Sequence, residues 1–408
     1  MLRHTRYKYF LPLILLCIYI AAVHCCFSQN QQRCYEAAVA SDRGEQFACV
    51  WSYRSLGNGV IEGASIRKFE RERFRTFTIS DSAPDVNDLY PALCWTRGKI
   101  FVAWQREQRG ISRIVGRFFS SDGKALSSVL PISDTTHRRI VMRPSVQANS
   151  EGSLLVAWQD YRNGSADIYA QLLDSTLHPL GSNQMLNDDQ HDALQGVPKI
   201  SKNNATEYAT IWIDKRSDSI AYFFQRFSMQ PEGRNVLLDS VQPKDLTMTA
   251  ASTWCSDRRI RFVWKDYREG NGNIFSKQYD VLSSTSSKTE KINDDAGSKW
   301  QRLPDIDRDA KDRTIICWED YRNTERNQQG DVYMQALGST GKRVGKNVRV
   351  NDGSDRRARY NPSIAMNSAG DALIVWHQAE RGLIEIVGTW ISFPTTRRGK
   401  NFRISVRE

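Results

Sequence analysis

The sequence predicts an all-β fold, a seven-bladed β-propeller of four-stranded blades, from three observations. Seven tryptophans each end an apolar run, at spacings of 53, 54, 54, 52, 54 and 58 residues. Each interval holds four short pieces with the β-branched and aromatic content of strands. No segment after residue 28 shows a helical period. Repeats of about this length with four strands each are typical of propeller blades. The aligned tryptophans are Trp51, Trp104, Trp158, Trp212, Trp264, Trp318 and Trp376.

The four strands of a unit each have their own pattern. The second strand is the apolar run to the tryptophan, as in LLVAW, and is apolar on both faces because a blade lies between two others. The third strand alternates, as in DIYAQLLD, and the fourth is short and ends in sequences such as QMLNDD. The first strand is expected to start at or near a proline, in PALCW (91–95), PSVQA (144–148), PKIS (198–201), PDID (304–307) and PSIAM (362–366).

The two ends of the chain predict how the ring closes. Residues 34–46 read as a first strand with its turn, and residues 401–408 read as a fourth strand with no first strand after it. The ring is therefore expected to close by the N-terminal strand joining the last blade. The N-terminus would then supply the first strand of the last blade. Closure of this kind hides sheet edges. We predict one propeller domain over 33–408.

The first 28 residues are predicted to be a secretion signal, with Arg3, Arg6 and Lys8 before an apolar run. The apolar run of about 14 residues is short for a membrane-spanning helix, which needs about 20. An N-terminal membrane anchor, or a lipid anchor at Cys25, remains the alternative. The expected location is secreted, periplasmic or on the cell surface.

Charge and cysteine content narrow the function classes. The chain carries +11, and residues 1–28 hold three basic and no acidic groups, which leaves +8 on the rest. A basic exported protein favours anionic glycans or envelope partners over nucleic acid, although basic excess also serves solubility. Five cysteines follow the signal, with no CxxC pair to indicate zinc. Four of them lie in apolar runs and are predicted to be buried thiols: Cys49, Cys94, Cys255 and Cys317.

The phrase Asp-Tyr-Arg after the tryptophan recurs, and its Asp and Arg positions are kept in four blades. A carboxylate and a guanidinium two residues apart can pair or bind the backbone of the turn. One interpretation is a ring of ligand-binding pairs; the favoured one is a structural turn staple, because a folding device repeats while a catalytic site breaks symmetry. The spacing does not match a calcium loop, and no metal or cofactor is predicted. The staple residues are Asp160, Arg162, Asp214, Arg216, Asp266, Arg268, Asp320 and Arg322.

The W-x-D-x-R turn followed by D-I-Y-x-Q resembles the repeats of exported bacterial seven-bladed β-propellers, distant relatives of the sialidase-like propeller group. The resemblance covers about 33–408 and is strongest in 144–190 and 259–366. It implies the propeller fold. The chain contains no Asp box of the form S-x-D-x-G-x-T-W that sialidase-like enzymes carry.

The connections between blades vary, and functional residues concentrate in such loops. Arginines beside an aromatic ring can hold a carboxylate or an anionic sugar. We therefore predict a binding or interaction module whose Arg-rich loops contact an anionic glycan or an envelope protein. The alternatives are a sialidase-like glycoside hydrolase, with Asp85, Asp88, Asp192 and Asp355 as candidates by position, and an assembly scaffold. The predicted ligand-binding residues are Arg138, Arg139, Arg143, Trp300, Arg302, Arg356, Arg357, Arg359 and Tyr360.

Overall fold

The structure is a computed structural model. It describes residues 33–55, 58–68, 74–81, 83, 85–134, 140–189, 193–216, 219–241, 248–256, 258–324, 329–353, 357–380, 383–393 and 397–405. The predicted signal segment lies outside this part of the chain. None of the residues it covers forms a helix long and apolar enough to cross a membrane.

The strands follow one another in seven blades. Blade one contains β1 Arg33–Ser41, β2 Gln46–Ser55, β3 Asn58–Arg67 and β4 Arg75–Thr78. Blade two contains β5 Val86–Thr96, β6 Lys99–Gln108, β7 Ile111–Ser120 and β8 Leu130–Pro131. Blade three contains β9 Val141–Ala148, β10 Leu154–Asp160, β11 Asp167–Leu173 and β12 Gln184–Met185. Blade four contains β13 Gln195–Lys202, β14 Tyr208–Asp214, β15 Ile220–Phe227 and β16 Pro231–Val241. Blade five contains β17 Ala250–Cys255, β18 Arg259–Asp266, β19 Asn273–Asp280, β20 Thr285–Ser286 and β21 Glu290–Lys291. Blade six contains β22 Gln301–Arg308, β23 Thr314–Asp320, β24 Asp331–Leu337 and β25 Arg343–Arg349. Blade seven contains β26 Ala358–Met366, β27 Asp371–Glu380, β28 Leu383–Ser392, β29 Arg397–Arg398 and β30 Phe402–Arg403.

Each blade is an antiparallel sheet with its strands in chain order, and the first strand of each blade lies innermost. The innermost strands contact one another in a closed cycle, β1, β5, β9, β13, β17, β22, β26 and back to β1. The predicted seven-bladed propeller is therefore confirmed. One face, here called the loop face, carries the turns between second and third strands and the connections from one blade to the next. The opposite face carries the other turns.

Ring closure differs from the expectation in one respect. The N-terminal strand does join the last blade, because β1 pairs in parallel with β28 at Arg33 and Ile384. The last blade does not take its first strand from the N-terminus, however, since β26 fills that position and pairs with β27 along its length. The segment YNPSIAM already supplies the innermost strand, so every blade is one contiguous piece of chain.

The first strands begin earlier than their prolines. In six blades two residues of the inner strand oppose the single aligned tryptophan, which is a β-bulge. In five of these blades the second bulge residue is the proline, which suits an interrupted ladder because it has no N–H to donate. The first bulge residue has a positive φ, between 51° and 55°, in all six blades. These residues are Glu36, Tyr90, Arg143, Val197, Leu303 and Asn361.

The core is formed by the second strands. β10, β14 and β23 are buried along their whole length, and all seven aligned tryptophans are buried. Such burial on both faces matches a strand packed between two neighbouring blades. Cys49, Cys94, Cys255 and Cys317 are buried, as predicted.

Side chains bridge neighbouring inner strands around the central tunnel, the axis enclosed by that cycle. The Asp307 carboxylate accepts a hydrogen bond from the Met366 N–H at 2.7 Å, and Asp305 accepts from Ile364 N–H at 3.1 Å. Burial raises the pKa of Asp305. These bonds satisfy edge N–H groups that have no strand partner.

Candidate functional site

The repeated turn forms one hydrogen-bond network in each of four blades. In blade four, the buried Asp214 carboxylate accepts from the Trp212 indole N–H at 3.0 Å and from the Arg216 backbone N–H at 2.9 Å. It also accepts from the Arg216 guanidinium at 2.8 and 3.0 Å. A buried carboxylate needs such pairing to remain ionised at low cost. The equivalent pairs are Asp160–Arg162, Asp266–Arg268 and Asp320–Arg322.

The arginine of each turn also binds the preceding blade, a contact that the sequence did not predict. Arg216 Nη1 lies 2.7 Å from Asp188 Oδ1, and the Arg216 guanidinium lies 4.0 Å from the centre of the Phe223 ring. Burial lowers the pKa of Arg216, but its hydrogen bonds to Asp214 and Asp188 outweigh this and raise it above the usual value. The same inter-blade contact joins Arg162 to Asp134, Arg268 to Asp239 and Arg322 to Asp294.

Several predicted site residues lie outside the described residues. Among the ligand-binding candidates these are Arg138, Arg139 and Arg356. Among the catalytic candidates they are Asp192 and Asp355. The predictions for these five positions stay predictions.

Trp300 and Arg302 stand at the entrance to blade six. Trp300 is 38% exposed, and its carbonyl accepts a hydrogen bond from the Tyr321 N–H at 3.0 Å. Arg302 donates to Glu319 Oε1 at 3.0 Å and to the Tyr321 hydroxyl at 2.6 Å. Tyr321 in turn hydrogen-bonds Glu319. Burial, followed by the Glu319 charge, raises the pKa of Tyr321. The Arg302 guanidinium is thus engaged inside the protein, while the indole of Trp300 is open to solvent.

The predicted residues of blade seven are divided between surface and interior. Arg357 is the more exposed, with 40% of its side chain accessible and its Nε 2.7 Å from Glu380. Arg359 is buried, and its Nη1 lies 3.0 Å from the Arg357 carbonyl oxygen and 3.6 Å from Asp331. Tyr360 stacks on His377 with ring centroids 5.3 Å apart. Among the described residues of this group, Arg357 is therefore the cation that a ligand can reach.

The bulges of blades one, two and three place an acidic, an aromatic and a basic side chain next to one another along the tunnel. Glu36 accepts a hydrogen bond from the Tyr90 N–H at 3.0 Å, and the Arg143 guanidinium lies 4.7 Å from the centre of the Tyr90 ring. The same positions hold Val197 and Leu303 in later blades. The bulge recurs from blade to blade and is therefore a structural feature of the fold. Its side chains are polar in only some of the blades.

An open cleft lies on the loop face between blades two and three, with a cavity volume of about 290 Å³. It is built around the tight turn of Arg109 and Gly110, which both have positive φ, as a type I′ hairpin requires. Ser112 donates a hydrogen bond to the Val141 carbonyl at 2.7 Å and so holds the two blades together beside it. The side chains that line the cleft include Asp85, Asn87, Glu107, Gln108, Arg109 and Ile140.

The floor of the cleft is fixed by hydrogen bonds. Glu107 accepts from the Asn87 side-chain amide at 3.0 Å and from the Gln105 amide at 2.8 Å. Asn87 accepts in turn from the Gly59 N–H of blade one at 2.9 Å. Glu107 is therefore held by two side chains of its own blade, one of which is anchored to blade one, as a preorganised binding group needs.

Two of the predicted catalytic carboxylates have different surroundings. Asp85 lines the cleft and is exposed. Asp88 is buried and forms a two-bond pair with Arg106, with both distances 2.8 Å. The hydrogen bonds to Asp88 raise the pKa of Arg106.

Sequence reasoning missed Glu107, Arg109 and Asn87. A signal for them was present: blade two reads WQREQRG where the central blades have Trp-x-Asp-x-Arg, so its turn departs from the repeat. Over the ranges that the structure covers, no cluster of three or more histidine, cysteine or acidic residues is arranged to hold a metal ion.

Comparison with known proteins supports the fold. No protein family and no curated protein matches the sequence. A crystal structure of a protein of unknown function from Dyadobacter fermentans is similar over 76% of this chain and 95% of its own, with a TM-score of 0.50 and 10% identity. An ulvan lyase, a polysaccharide lyase, is similar over 77% of this chain and 83% of its own, with a TM-score of 0.53 and 9% identity. A prolyl endopeptidase aligns with 92% of this chain at 12% identity and a TM-score of 0.53, and this chain spans 51% of it.

Proposed function

We propose that this protein is an exported glycan-binding module that engages an anionic glycan, free or on an envelope partner, through its loop face. The observation that carries the proposal is the cleft between blades two and three. It lies among the variable loops, and its volume of about 290 Å³ is near the lower end of small-molecule sites, roughly 300 Å³.

The lining of the cleft suits a ring that carries hydroxyl groups. The carboxylates of Asp85 and Glu107 accept hydrogen bonds from hydroxyls, and the amide of Gln108 can donate or accept. Ile140 is 48% exposed and offers an apolar surface for the face of a ring. A few fixed polar groups beside apolar surface are what orient a small ligand in a pocket.

Anionic chains are favoured by the charge of the protein outside the cleft. The chain after residue 28 carries +8 by composition. On the loop face Arg143 stacks on Tyr90, and Arg357 is exposed. The ulvan lyase with a similar fold acts on a polysaccharide, which agrees with a glycan ligand at the level of the fold.

Glycan cleavage is the second candidate, in the form of a sialidase-like glycoside hydrolase. Its specific support is that Asp85 and Glu107 line one cleft. Most glycosidases use two carboxyl groups on either side of the bond that is cleaved, and sialidases, with a tyrosine nucleophile, are an exception.

The test is capture of acidic and neutral glycans by residues 29–408 at two salt concentrations, with the products analysed by mass spectrometry. Glu107→Gln is expected to weaken capture about tenfold, since a hydrogen bond to a charged group contributes about 1.5–3 kcal/mol. Asp122→Asn, an exposed carboxylate change on the opposite face, is the matched control. Capture that is equal in the Glu107 variant and the wild type would exclude the cleft as the binding site.

The same experiment separates the alternatives. Shortened products that vanish with Asp85→Asn would establish cleavage. Salt-sensitive capture without products supports the binding module. No capture of any glycan, together with retention of an envelope protein in a pull-down, would replace the glycan with a protein partner.

A further inference from the structure

The far end of the central tunnel carries a cluster of basic residues from three blades. The inner strands all run in the same direction, so their C-terminal ends meet on the face opposite the loop face. Lys202 ends β13, Arg308 ends β22, and Arg43 lies just after β1. This cluster is separate from the cleft described above.

Two of the three cations are held by contacts that cross the ring. Arg43 Nη1 donates to the Arg308 carbonyl at 2.6 Å and to the Met366 carbonyl at 3.2 Å. Arg308 donates to Asn204 Oδ1 at 2.7 Å, which joins blade six to blade four across blade five. Both guanidinium groups are therefore held at the end of the tunnel, Arg308 in the interior and Arg43 with 44% of its side chain exposed.

The two arginines form ion pairs, whereas Lys202 feels the charge of Asp307 without pairing with it. Arg43 pairs with Asp307 at 3.3 Å, and Arg308 pairs with Asp312 at 2.7 Å. No residue in the described ranges forms a hydrogen bond or ion pair with the Lys202 ammonium. The cluster thus has one surplus positive charge, and it resides on Lys202.

Lys202 is costly to the fold as it stands. Its side chain is half-buried, and burial followed by the charge of Arg43 lowers its pKa. A half-buried ammonium without a hydrogen-bond partner loses hydration, and the charge of Asp307 offsets only part of that loss. An ammonium has three N–H donors, and an oxyanion is the partner that satisfies them with opposite charge.

We propose that Lys202, supported by the fields of Arg43 and Arg308, is a binding site for one small oxyanion group at this end of the tunnel. The group is a phosphate, a sulfate or a carboxylate. It can arrive as a free ion or as a substituent of a larger ligand, since the chemistry of recognition is the same. The site is independent of the glycan cleft on the loop face.

The first test uses thermal unfolding of residues 29–408 in sodium phosphate against sodium chloride at equal ionic strength. A ligand that binds only the folded state raises the midpoint in a saturable way. We expect such a rise for the wild type, and at least a tenfold weaker apparent affinity for Lys202→Met. Lys311→Met, an exposed lysine change in a turn of the same face, is the matched control and is expected to behave as the wild type.

A second measurement needs no variant. Lys202 is labelled with an amine-reactive reagent, and its labelling rate is read by mass spectrometry at increasing phosphate. Selective protection of Lys202 over Lys311 supports the site. Equal protection of the two lysines, or a phosphate response that is unchanged in Lys202→Met, would overturn it.

Two further experiments identify the source of the anion and test whether this site acts independently of the cleft. Protection by glucuronic acid at lower concentration than by phosphate would assign a carboxylate on a sugar, and the reverse would assign a free oxyanion. Capture of glycans through the cleft is expected to be unchanged in Lys202→Met. Failure of one site therefore leaves the result for the other intact.

Discussion

Loss of Arg216 tests the inter-blade network most directly, because this side chain connects a buried carboxylate with the neighbouring blade. Replacement by methionine keeps much of the side-chain volume and removes the guanidinium. Asp214, which is 0% exposed, then keeps only the indole and backbone donors. The contact with Asp188 is lost as well.

The expected cost follows from burial. Removing one partner of a buried ion pair costs about 3–5 kcal/mol, because the other charge stays buried. Arg216 itself is 21% exposed, so the lower end applies. Unfolding entropy is about 2.1 cal/mol/K per residue, roughly 0.8 kcal/mol/K for a domain of this size. A loss of about 3 kcal/mol therefore lowers Tm by about 4 °C.

The assay is a double-mutant cycle of Arg216→Met and Asp214→Asn, measured by thermal and urea unfolding. We expect the double variant to be more stable than the sum of the single changes requires, because the Asn is neutral when buried. Arg75→Met is the control, since its pair with Asp122 is 71% and 54% exposed and contributes at most about 1 kcal/mol. A cost for Arg216→Met equal to that of Arg75→Met, or additive single changes, would refute the reasoning.

Three further predictions concern pH, packing and thiol reactivity. Burial opposes ionisation of Asp188 and Asp294, but backbone N–H and arginine donors outweigh it and lower the pKa of both carboxyls. The two carboxylates therefore stabilise the fold above the ordinary aspartate pKa of about 3.9, and this stability is lost as pH falls through their folded pKa. The stability of the Asp188→Asn, Asp294→Asn variant, measured by urea unfolding, should depend less on pH below about 5. Gly116→Ala should cost about 1–3 kcal/mol in the same assay, because the added methyl would lie 2.4 Å from an aromatic ring, whereas Gly297→Ala, with no such atom within 3.8 Å, should be nearly neutral. Burial raises the pKa of Cys94 to about 12, so mass-resolved labelling should find it unreactive at pH 8 until the protein unfolds.

The repeat could be predicted from sequence because its signals are local. The tryptophan spacing, the apolar second strand and the turn residues each depend on a few neighbouring positions. The bulge opposite the tryptophan could not be derived in this way. Its prolines were visible, but the positive φ at Val197 or Leu303 results from the pairing of two strands and is unusual for such residues.

The candidate site was predictable only as a face of the ring. The cleft needs Asn87 from one strand, Glu107 from the next and Ile140 from another blade, and no local pattern joins these three. Burial of Arg359 beside Asp331 is likewise a matter of distant packing. Counting arginines in a loop gives the charge of a surface but not which guanidinium groups are already bound.

Every blade of this ring is one uninterrupted segment of chain, and β1 meets β28 at a single backbone bridge. Among the described residues, no strand is shared across the junction of blades seven and one. A circular permutant that joins the present ends by a linker and opens the chain between two other blades would keep each blade whole. Gain or loss of a complete repeat would also leave the remaining blades intact, so gene duplication of a blade is a feasible route by which such a ring changes size.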